Sequence, residues 1–360
     1  MSATQRVVDA GYARLLRPLL FRAHAGDPEK IHEDMIRGLA LLPHLPGLRD
    51  AVGALTRVPA APVTVAGVRF PGRVGLAAGM DKDGRAAKAW QYLGFAFAEL
   101  GTVTAEAQPG NPKPRVFRLR DSHALINRMG FNNEGALALA NRLALAGVQR
   151  GNGAAGIPLG ISIGKTKVVP VAEAVPDYLA SLRALAAHAD YIAVNVSSPN
   201  TPNLRSLQDG GALAELLGAL VTESRTLALG GTPVPIFVKV APDLTEGQLD
   251  EVLAAASDAG CAGLIATNTT LGRDGLARAD RPRAGEAGGL SGAPLTARAR
   301  EVVRYVCRNT SLPVMGVGGI MTAEDAVALL DAGASLVQLY TGFIYAGPAL
   351  IGAINEITRE

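Results

Sequence analysis

The sequence repeats one pattern eight times: a short run rich in β-branched residues, followed by a segment rich in alanine and leucine. Apolar runs of this length are typical of parallel strands that are covered on both faces. Eight such units predict an α/β fold, a closed (β/α)8 TIM barrel. The predicted strands are 73–79, 97–101, 158–164, 191–197, 236–242, 263–269, 313–319 and 335–341, and the predicted helices between them include 84–93, 176–189, 245–260 and 322–333.

The alternative for such a pattern is an open, doubly wound sheet. The count of eight and the absence of a GxGxxG motif directly after the first strand argue against it. With 360 residues, 48% of them apolar, the chain can fill the core of one large barrel.

Charge and cysteine content exclude several classes of protein. A net charge of +3, with no basic block interleaved with aromatics, does not indicate nucleic-acid binding. Cys261 and Cys307 are far apart and lack zinc-site spacing, which favours a reducing cytosolic compartment and no metal. No apolar run reaches the roughly 18 residues of a membrane-spanning helix, and no signal peptide is expected.

The first 46 residues differ from the rest. Between residues 6 and 22, leucines at helical spacing alternate with arginines, which predicts a basic amphipathic helix. A second helix is predicted over 27–42, with Asp27 as its cap and Pro43 and Pro46 ending it. Both helices could simply pack on the barrel, or they could lie on a membrane surface.

Long segments follow three of the predicted strands: 102–131, 198–211 and 270–295. Loops after barrel strands build the active site, so we expect these three to meet on one rim, with the first forming an antiparallel flap. The second begins in the stretch NVSSPNTPN (195–203), whose candidate residues are Ser197, Ser198, Asn200, Thr201 and Asn203. A binding loop and an ordinary turn explain this stretch equally well.

Amides and lysines dominate the strand ends, whereas histidines and paired carboxylates are missing there. Hydrolase, glycosidase and metal-site interpretations are weakened accordingly. Asn127, Asn195, Asn200 and Asn268 could frame a planar heterocycle, because each offers a donor and an acceptor in one plane. Lys239 lies within a buried strand and needs a partner, or it could form a Schiff base.

Glycine-rich turns after the last two strands, at 316–320 and 340–342, indicate a phosphate site, with a helix expected to begin near Gly347. The stretch 77–84 (AAGMDKDG) provides another close backbone approach.

These motifs together resemble one family. LAAGMDKDG, ELGTVT, QPGNPKPR, INRMGFNN, NVSSPNTPNLR, ATNTTL, GGLSGAPL, GVGGI and LVQLYTGF are similar to the membrane-associated, quinone-dependent class of dihydroorotate dehydrogenase, from about residue 27 to the C-terminus. The resemblance implies oxidation of (S)-dihydroorotate to orotate in pyrimidine (UMP) synthesis, with one FMN per chain as hydride acceptor and a membrane quinone as the final acceptor.

The resemblance also implies roles for individual residues. Those implied to bind FMN are Ala78, Gly79, Met80, Asp81, Lys82, Thr102, Ser162, Asn195, Lys239, Thr267, Gly292, Gly319, Tyr340 and Thr341. Those implied to bind the substrate are Lys82, Asn127, Arg128, Met129, Gly130, Phe131, Asn195, Asn200, Asn268 and Thr269. Ser198 is implied to be the general base, and Thr201 and Phe131 to belong to its proton relay. Many members carry asparagine where Ser162 stands and serine where Thr341 stands.

Serine at the base position separates this class from soluble relatives, which carry cysteine there. The resemblance therefore implies a helical segment, 1–46, for quinone access and peripheral contact with an anionic membrane surface, on the cytoplasmic side, and a catalytic barrel over 60–360. No obligate protein partner is expected. The competing hypotheses are an FMN barrel acting on another pyrimidine and a non-catalytic phosphate-binding barrel that docks on membranes.

Overall fold

The structure, a computed structural model, describes residues 3–201, 204–208 and 210–359. The candidate residue Asn203 lies outside them. The strands are β1 (Val63–Val65), β2 (Val68–Phe70), β3 (Val74–Leu76), β4 (Phe97–Val103), β5 (Val116–Leu119), β6 (Ala124–Asn127), β7 (Leu159–Ile163), β8 (Tyr191–Asn195), β9 (Ile236–Val240), β10 (Gly263–Ala266), β11 (Gly289–Gly292), β12 (Val314–Val317) and β13 (Leu336–Leu339). The helices are α1 (Ala3–Gly11), α2 (Arg17–Arg22), α3 (Pro28–Leu41), α4 (Pro46–Thr56), α5 (Ala136–Leu145), α6 (Ala174–Leu185), α7 (Gly210–Leu227), α8 (Glu246–Ala259), α9 (Thr296–Asn309), α10 (Ala323–Asp331), α11 (Thr341–Ala346) and α12 (Pro348–Ile357).

Eight parallel strands close into a barrel in the order β3-β4-β7-β8-β9-β10-β12-β13. Each coincides with one of the eight predicted runs, so the barrel is confirmed and the open sheet is excluded. Seven of the observed strands are shorter than their runs, because the last residues of those runs already belong to the loops of the rim, whereas β4 extends two residues beyond its run.

The hairpin β1–β2 closes the amino-terminal mouth of the barrel. Phe70 from this hairpin lies edge-on to Phe97 of β4, with ring centroids 5.1 Å apart, and both side chains are buried. Tyr191 and Phe237 fill the space above them. Because this mouth is packed with aromatic side chains, we expect a ligand to enter from the carboxyl ends of the strands.

The predicted flap is present, and it is larger than expected. β5 and β6 form an antiparallel hairpin, and β11, from the segment after β10, pairs with β6 as a third strand. Two of the three long rim segments are therefore joined in one small sheet.

Helix α3 begins where the sequence predicts, because the Asp27 carboxylate accepts hydrogen bonds from the backbone N–H groups of Glu29 and Lys30. Pro46 was predicted to end the helical segment that begins at residue 27, but it also starts another helix. It occupies the first turn of α4, which we did not predict. Within the described residues, no helix has both the length and the apolar character needed to cross a bilayer.

The predicted helix over 84–93 is wrong. The segment forms turns followed by one 3-10 turn, Trp90–Leu93. The buried carboxylate of Asp81 accepts hydrogen bonds from the N–H groups of Arg85 and Ala86 and from the indole of Trp90. These bonds take donors that a helix would direct to its own carbonyls, and they fold the segment into a compact loop.

Candidate active site

A cavity of about 1020 Å³, measured with its open mouth, lies at the carboxyl ends of the strands. Most of the predicted site residues line it: Ala78, Gly79, Lys82, Thr102, Asn127, Met129, Gly130, Phe131, Asn195, Ser198, Asn200, Lys239, Thr267, Asn268, Thr269, Gly292, Gly319, Tyr340 and Thr341.

The asparagines form two hydrogen-bonded groups on the cavity wall. Asn195 donates to Thr102 Oγ1 at 3.0 Å and accepts from Asn268 Nδ2 at 3.2 Å. Asn200 donates to Asn127 Oδ1 at 3.2 Å. These bonds fix which end of each amide is presented to a ligand, so the wall carries an ordered pattern of donors and acceptors.

Ser198 follows β8 and is buried against the cavity. Its Oγ accepts a hydrogen bond from the backbone N–H of Asn200 at 3.3 Å. Among the described residues, no histidine or carboxylate lines the cavity with it. A proton taken by this hydroxyl must therefore leave along other hydroxyls or water rather than to an adjacent strong base.

Lys239 rises from β9 into the cavity, and its partner is a residue that the sequence analysis missed. Its Nζ lies 3.7 Å from Oε1 of Glu99 on β4, which is fully buried. Glu99 Oε2 accepts hydrogen bonds from Tyr191 Oη at 3.1 Å and from Gln338 Nε2 at 2.7 Å. The Glu99 carboxylate is therefore the partner that a buried lysine needs, and no Schiff-base role is required to explain Lys239. The sequence does contain a signal for this pair: a glutamate within the apolar run FAELG (97–101) would be buried, and a buried charge requires a partner.

Lys82 is the second lysine that lines the cavity. Burial and the nearby guanidinium of Arg115 lower its pKa to about 8, although Glu29 and Asp83 act in the opposite direction. An anionic ligand beside this amine would favour its protonated form.

Two segments that follow the last two barrel strands line another part of the cavity. Residues 318–320 and 341–342 face it, and Thr341 begins α11. The helix predicted near Gly347 is present as α12, but the helix at the cavity is α11, which was not predicted. Ser291 and Thr341 add hydroxyls that are 2.8 Å apart. Glycine amides and hydroxyls together suit a phosphate group.

Comparisons of this chain with known protein families, relatives and solved structures agree with this geometry. The family model for dihydroorotate dehydrogenase matches residues 60–360. The chain belongs to the dihydroorotate dehydrogenase family. A curated relative named dihydroorotate dehydrogenase (quinone), from Salinispora arenicola, is 57% identical over 97% of this chain and 99% of its own length. A relative of the same name from Chloroflexus aurantiacus is 52% identical over 95% of this chain and 94% of its own length.

Solved structures of dihydroorotate dehydrogenases are also similar. The crystal structure of the Eimeria tenella enzyme in complex with ferulenol superposes with a TM-score of 0.81 at 33% identity, and the match covers 95% of this chain and 93% of that one. The ligand-free structure from the same organism gives a TM-score of 0.78 at 34% identity.

Several residues to which the family resemblance gives roles do not line the cavity: Met80, Asp81, Arg128, Ser162 and Thr201. The Asp81 carboxylate is used within its own loop, where burial raises its pKa to about 6. Arg128 points outward to Glu286 at 2.7 Å. Ser162 lies behind Thr102, with their hydroxyl oxygens 2.8 Å apart, so this serine contacts the cavity wall only from behind.

Thr201 is buried, and its hydroxyl has no partner among the described residues. It is three residues beyond Ser198, on the loop that follows β8. The ring of Phe131 lines the cavity and covers Gly164 at the end of β7.

Proposed function

We propose that this protein oxidises (S)-dihydroorotate to orotate with FMN as the bound hydride acceptor and a membrane quinone as the final electron acceptor. The observation that carries the proposal is one cavity lined by a buried serine, by oriented asparagine amides and by two lysines, Lys82 and Lys239. This arrangement stands in a chain that is 57% identical to a relative named dihydroorotate dehydrogenase (quinone).

The cavity fits FMN in its chemistry. Gly319 and Thr341 would hold the phosphate, while Thr102, Asn195 and Lys239 would contact the ring. Gln338 Oε1 is buried at the cavity without a partner among the described residues, so it remains available to a ligand donor. When bound, FMN supplies an acceptor for a hydride, which no amino-acid side chain provides.

The substrate side of the cavity suits an anionic pyrimidine. Lys82 would bind the carboxylate, and the amides of Asn127, Asn195, Asn200 and Asn268 would bind the alternating N–H and C=O groups of the ring. Ser198 Oγ would take the proton from C5 as a hydride leaves C6, so that a C5=C6 double bond forms. Thr201 and Phe131 would form the start of the path by which that proton leaves.

The visible spectrum of the purified protein tests this function. We expect flavin absorbance that bleaches on anaerobic addition of dihydroorotate and returns on addition of a quinone. A colourless protein that neither retains added FMN nor reduces a quinone with dihydroorotate would contradict the proposal.

Quinone access would run between the N-terminal helices and the flap. The guanidinium of Arg118, on β5, lies 3.9 Å from the ring centroid of Phe21, on α2, and its Nε and Nη1 have no partner among the described residues. Phe21 also lies edge-on to Tyr345 of α11 at 5.5 Å. Because α11 begins at the cavity residue Thr341, this site is close to the flavin end. We therefore assign quinone access to residues 1–46 and catalysis to the barrel at 60–360.

Replacing Arg118 by Ala should raise the KM for quinone about tenfold or more, because a hydrogen bond from a charged donor contributes about 1.5–3 kcal/mol. The rate of flavin reduction by dihydroorotate should not change, since Arg118 is outside the substrate cavity. Steady-state kinetics with each substrate varied in turn would measure this. Arg304→Ala, at an exposed arginine of α9, is the control. An unchanged KM for quinone would place the quinone elsewhere.

The outer face of the N-terminal helices suits an anionic membrane surface. Val7, Leu15 and Leu19 are each 68% exposed, beside the exposed Arg6 and Arg14. Apolar side chains next to arginines bind the interface of anionic bilayers without crossing them. We propose peripheral attachment on the cytoplasmic side.

The double substitution Leu15→Asp/Leu19→Asp should weaken binding to anionic phospholipid vesicles by at least about tenfold, since burying one leucine contributes about 1.5–3 kcal/mol. Co-sedimentation with vesicles would measure the binding. Leu145→Asp/Leu229→Asp changes leucines that are 91% and 94% exposed on the barrel and should leave binding intact. Equal losses in both double variants would contradict attachment through the N-terminal helices.

A further inference from the structure

One guanidinium ties together three loops of the active-site rim. Arg205 follows the Ser198 stretch, and its Nε donates to the carbonyl oxygen of Ser197 at 3.1 Å. Its Nη1 donates to Asp243 Oδ2 at 2.9 Å, and its Nη2 lies 3.5 Å from the carbonyl oxygen of Thr269. These three acceptors lie after β8, β9 and β10 respectively.

Asp243 is itself fixed by hydrogen bonds from residues other than Arg205. Its Oδ1 accepts from the hydroxyl of Thr270, and its Oδ2 also accepts from the backbone N–H of Leu271 at 3.1 Å. From below, Arg298 on α9 donates to the carbonyl oxygens on both sides of Asp243: Pro242 at 2.8 Å and Leu244 at 2.9 Å. The turn that carries Asp243 is therefore anchored to the body of the barrel.

Side-chain hydrogen bonds also hold the Ser198 loop near the base: Ser197 Oγ accepts from Asn268 at 2.9 Å, and Asn200 donates to Asn127 at 3.2 Å. Arg205 adds a bond to the backbone directly before the base. Pro199 follows Ser198 directly, and the hydroxyl of Ser198 receives only the backbone N–H of Asn200 among the bonds described. The carbonyl that Arg205 holds belongs to Ser197, the residue immediately before the base. A shift of this carbonyl would move the Ser198 hydroxyl with it, because the two residues share a peptide plane.

We infer that Arg205 is a positioning residue: it clasps the Ser198 loop to the anchored turn at Asp243 and thereby fixes the base against the substrate. This inference rests on the proposed function. Arg205 is 24% and Asp243 25% exposed, so water can reach the pair. Arg205 uses three different nitrogens for its three acceptors, whereas the three N–H donors of a lysine all start from one nitrogen and cannot span the same distance.

The clasp, which is the set of hydrogen bonds from Arg205 to Ser197, Asp243 and Thr269, should affect only the reductive half of the catalytic cycle. Ser198 takes part in the transfer from dihydroorotate to the flavin, whereas reoxidation by quinone does not involve this loop. Loss of the clasp should therefore slow flavin reduction and leave flavin reoxidation unchanged. A general loss of stability would slow both steps or release the flavin.

The test uses the full-length holoenzyme in stopped-flow experiments. For Arg205→Ala, we expect the limiting rate of flavin reduction by dihydroorotate to fall about 10- to 100-fold, as for a reacting group misplaced by about 1 Å. Reoxidation of dithionite-reduced enzyme by quinone should stay within about twofold of the original rate. Arg205→Lys should recover only part of the loss.

Two further variants make the outcome decisive. Arg183→Ala breaks a surface pair with Glu223, 2.7 Å long, between α6 and α7, and should change neither rate. Asp243→Asn should reproduce the defect if Arg205→Ala does not fold, since it weakens the clasp from the other side. Hydrogen exchange provides a readout independent of turnover: orotate should protect residues 196–201 less in Arg205→Ala than in the original enzyme.

Equal slowing of both half-reactions, or an unchanged reductive rate in Arg205→Ala and Asp243→Asn, would overturn the inference. These outcomes are distinct from failure of the proposed function, in which the unaltered protein itself would not be reduced by dihydroorotate.

Discussion

Ser198→Ala should slow the reduction of bound flavin by dihydroorotate by about 100- to 10,000-fold, the usual contribution of a general base. The hydroxyl is buried against the cavity, and the described part of the chain offers no histidine or carboxylate on the cavity wall to replace it. Anaerobic stopped-flow spectroscopy at saturating dihydroorotate would measure the rate. Flavin content should not change, because the residues that suit FMN lie elsewhere on the wall.

The control for this experiment is the second half-reaction of the same variant. Quinone should reoxidise the dithionite-reduced Ser198→Ala enzyme at the original rate, since no proton is taken from C5 in that step. Ser198→Cys should regain part of the activity, with a pH profile displaced to lower pH, because a free thiol has a pKa of about 8.5, far below that of a serine hydroxyl. A reductive rate in Ser198→Ala within about tenfold of the original would reject Ser198 as the base.

The barrel could be predicted from the sequence because its signal is local and repeated. Each of the eight runs, such as the one over 236–242, is apolar enough to be buried on both faces, and the count alone selects a closed barrel. Most of the cavity could be located for the same reason: parallel strands bring all their carboxyl ends to one rim, so residues as distant as Lys82 and Tyr340 meet there.

The features that were predicted wrongly, or not at all, have a different physical origin. The segment 84–93 has the composition of a helix, but a single buried carboxylate, Asp81, captures the backbone donors that a helix would use. Glu99 was overlooked because its partner, Lys239, lies 140 positions later. The clasp of Arg205 joins loops that follow three different strands. In each case a specific side-chain contact decides the outcome, and periodicity carries no information about such contacts.

Of the single substitutions proposed for this protein, Glu99→Leu should be the most destabilising, because it leaves Lys239 buried without its counter-ion. Removing one partner of a buried ion pair costs about 3–5 kcal/mol, whereas replacing both partners with apolar residues is often neutral. The side chain of Glu99 is fully buried and that of Lys239 is 6% exposed. The double variant Glu99→Leu/Lys239→Met should therefore recover most of the free energy of unfolding lost in Glu99→Leu. Urea unfolding of the flavin-free proteins would measure it, since bound FMN would add its own stabilisation.

Recovery of stability without recovery of function would separate the two roles of this pair. If Lys239 is retained for its charge toward the flavin, the double variant should fold well and still bind FMN weakly. If the double variant bound and reduced flavin as well as the original protein, the pair would be structural only, and Lys239 would leave the proposed FMN site. If it were no more stable than Glu99→Leu, loss of the hydrogen bonds from Tyr191 and Gln338 to Glu99 would account for the destabilisation instead of the unpaired lysine. A barrel core that could be filled with leucine and methionine instead carries a costly pair of charges, and this cost is understandable if the cation is needed at the cavity.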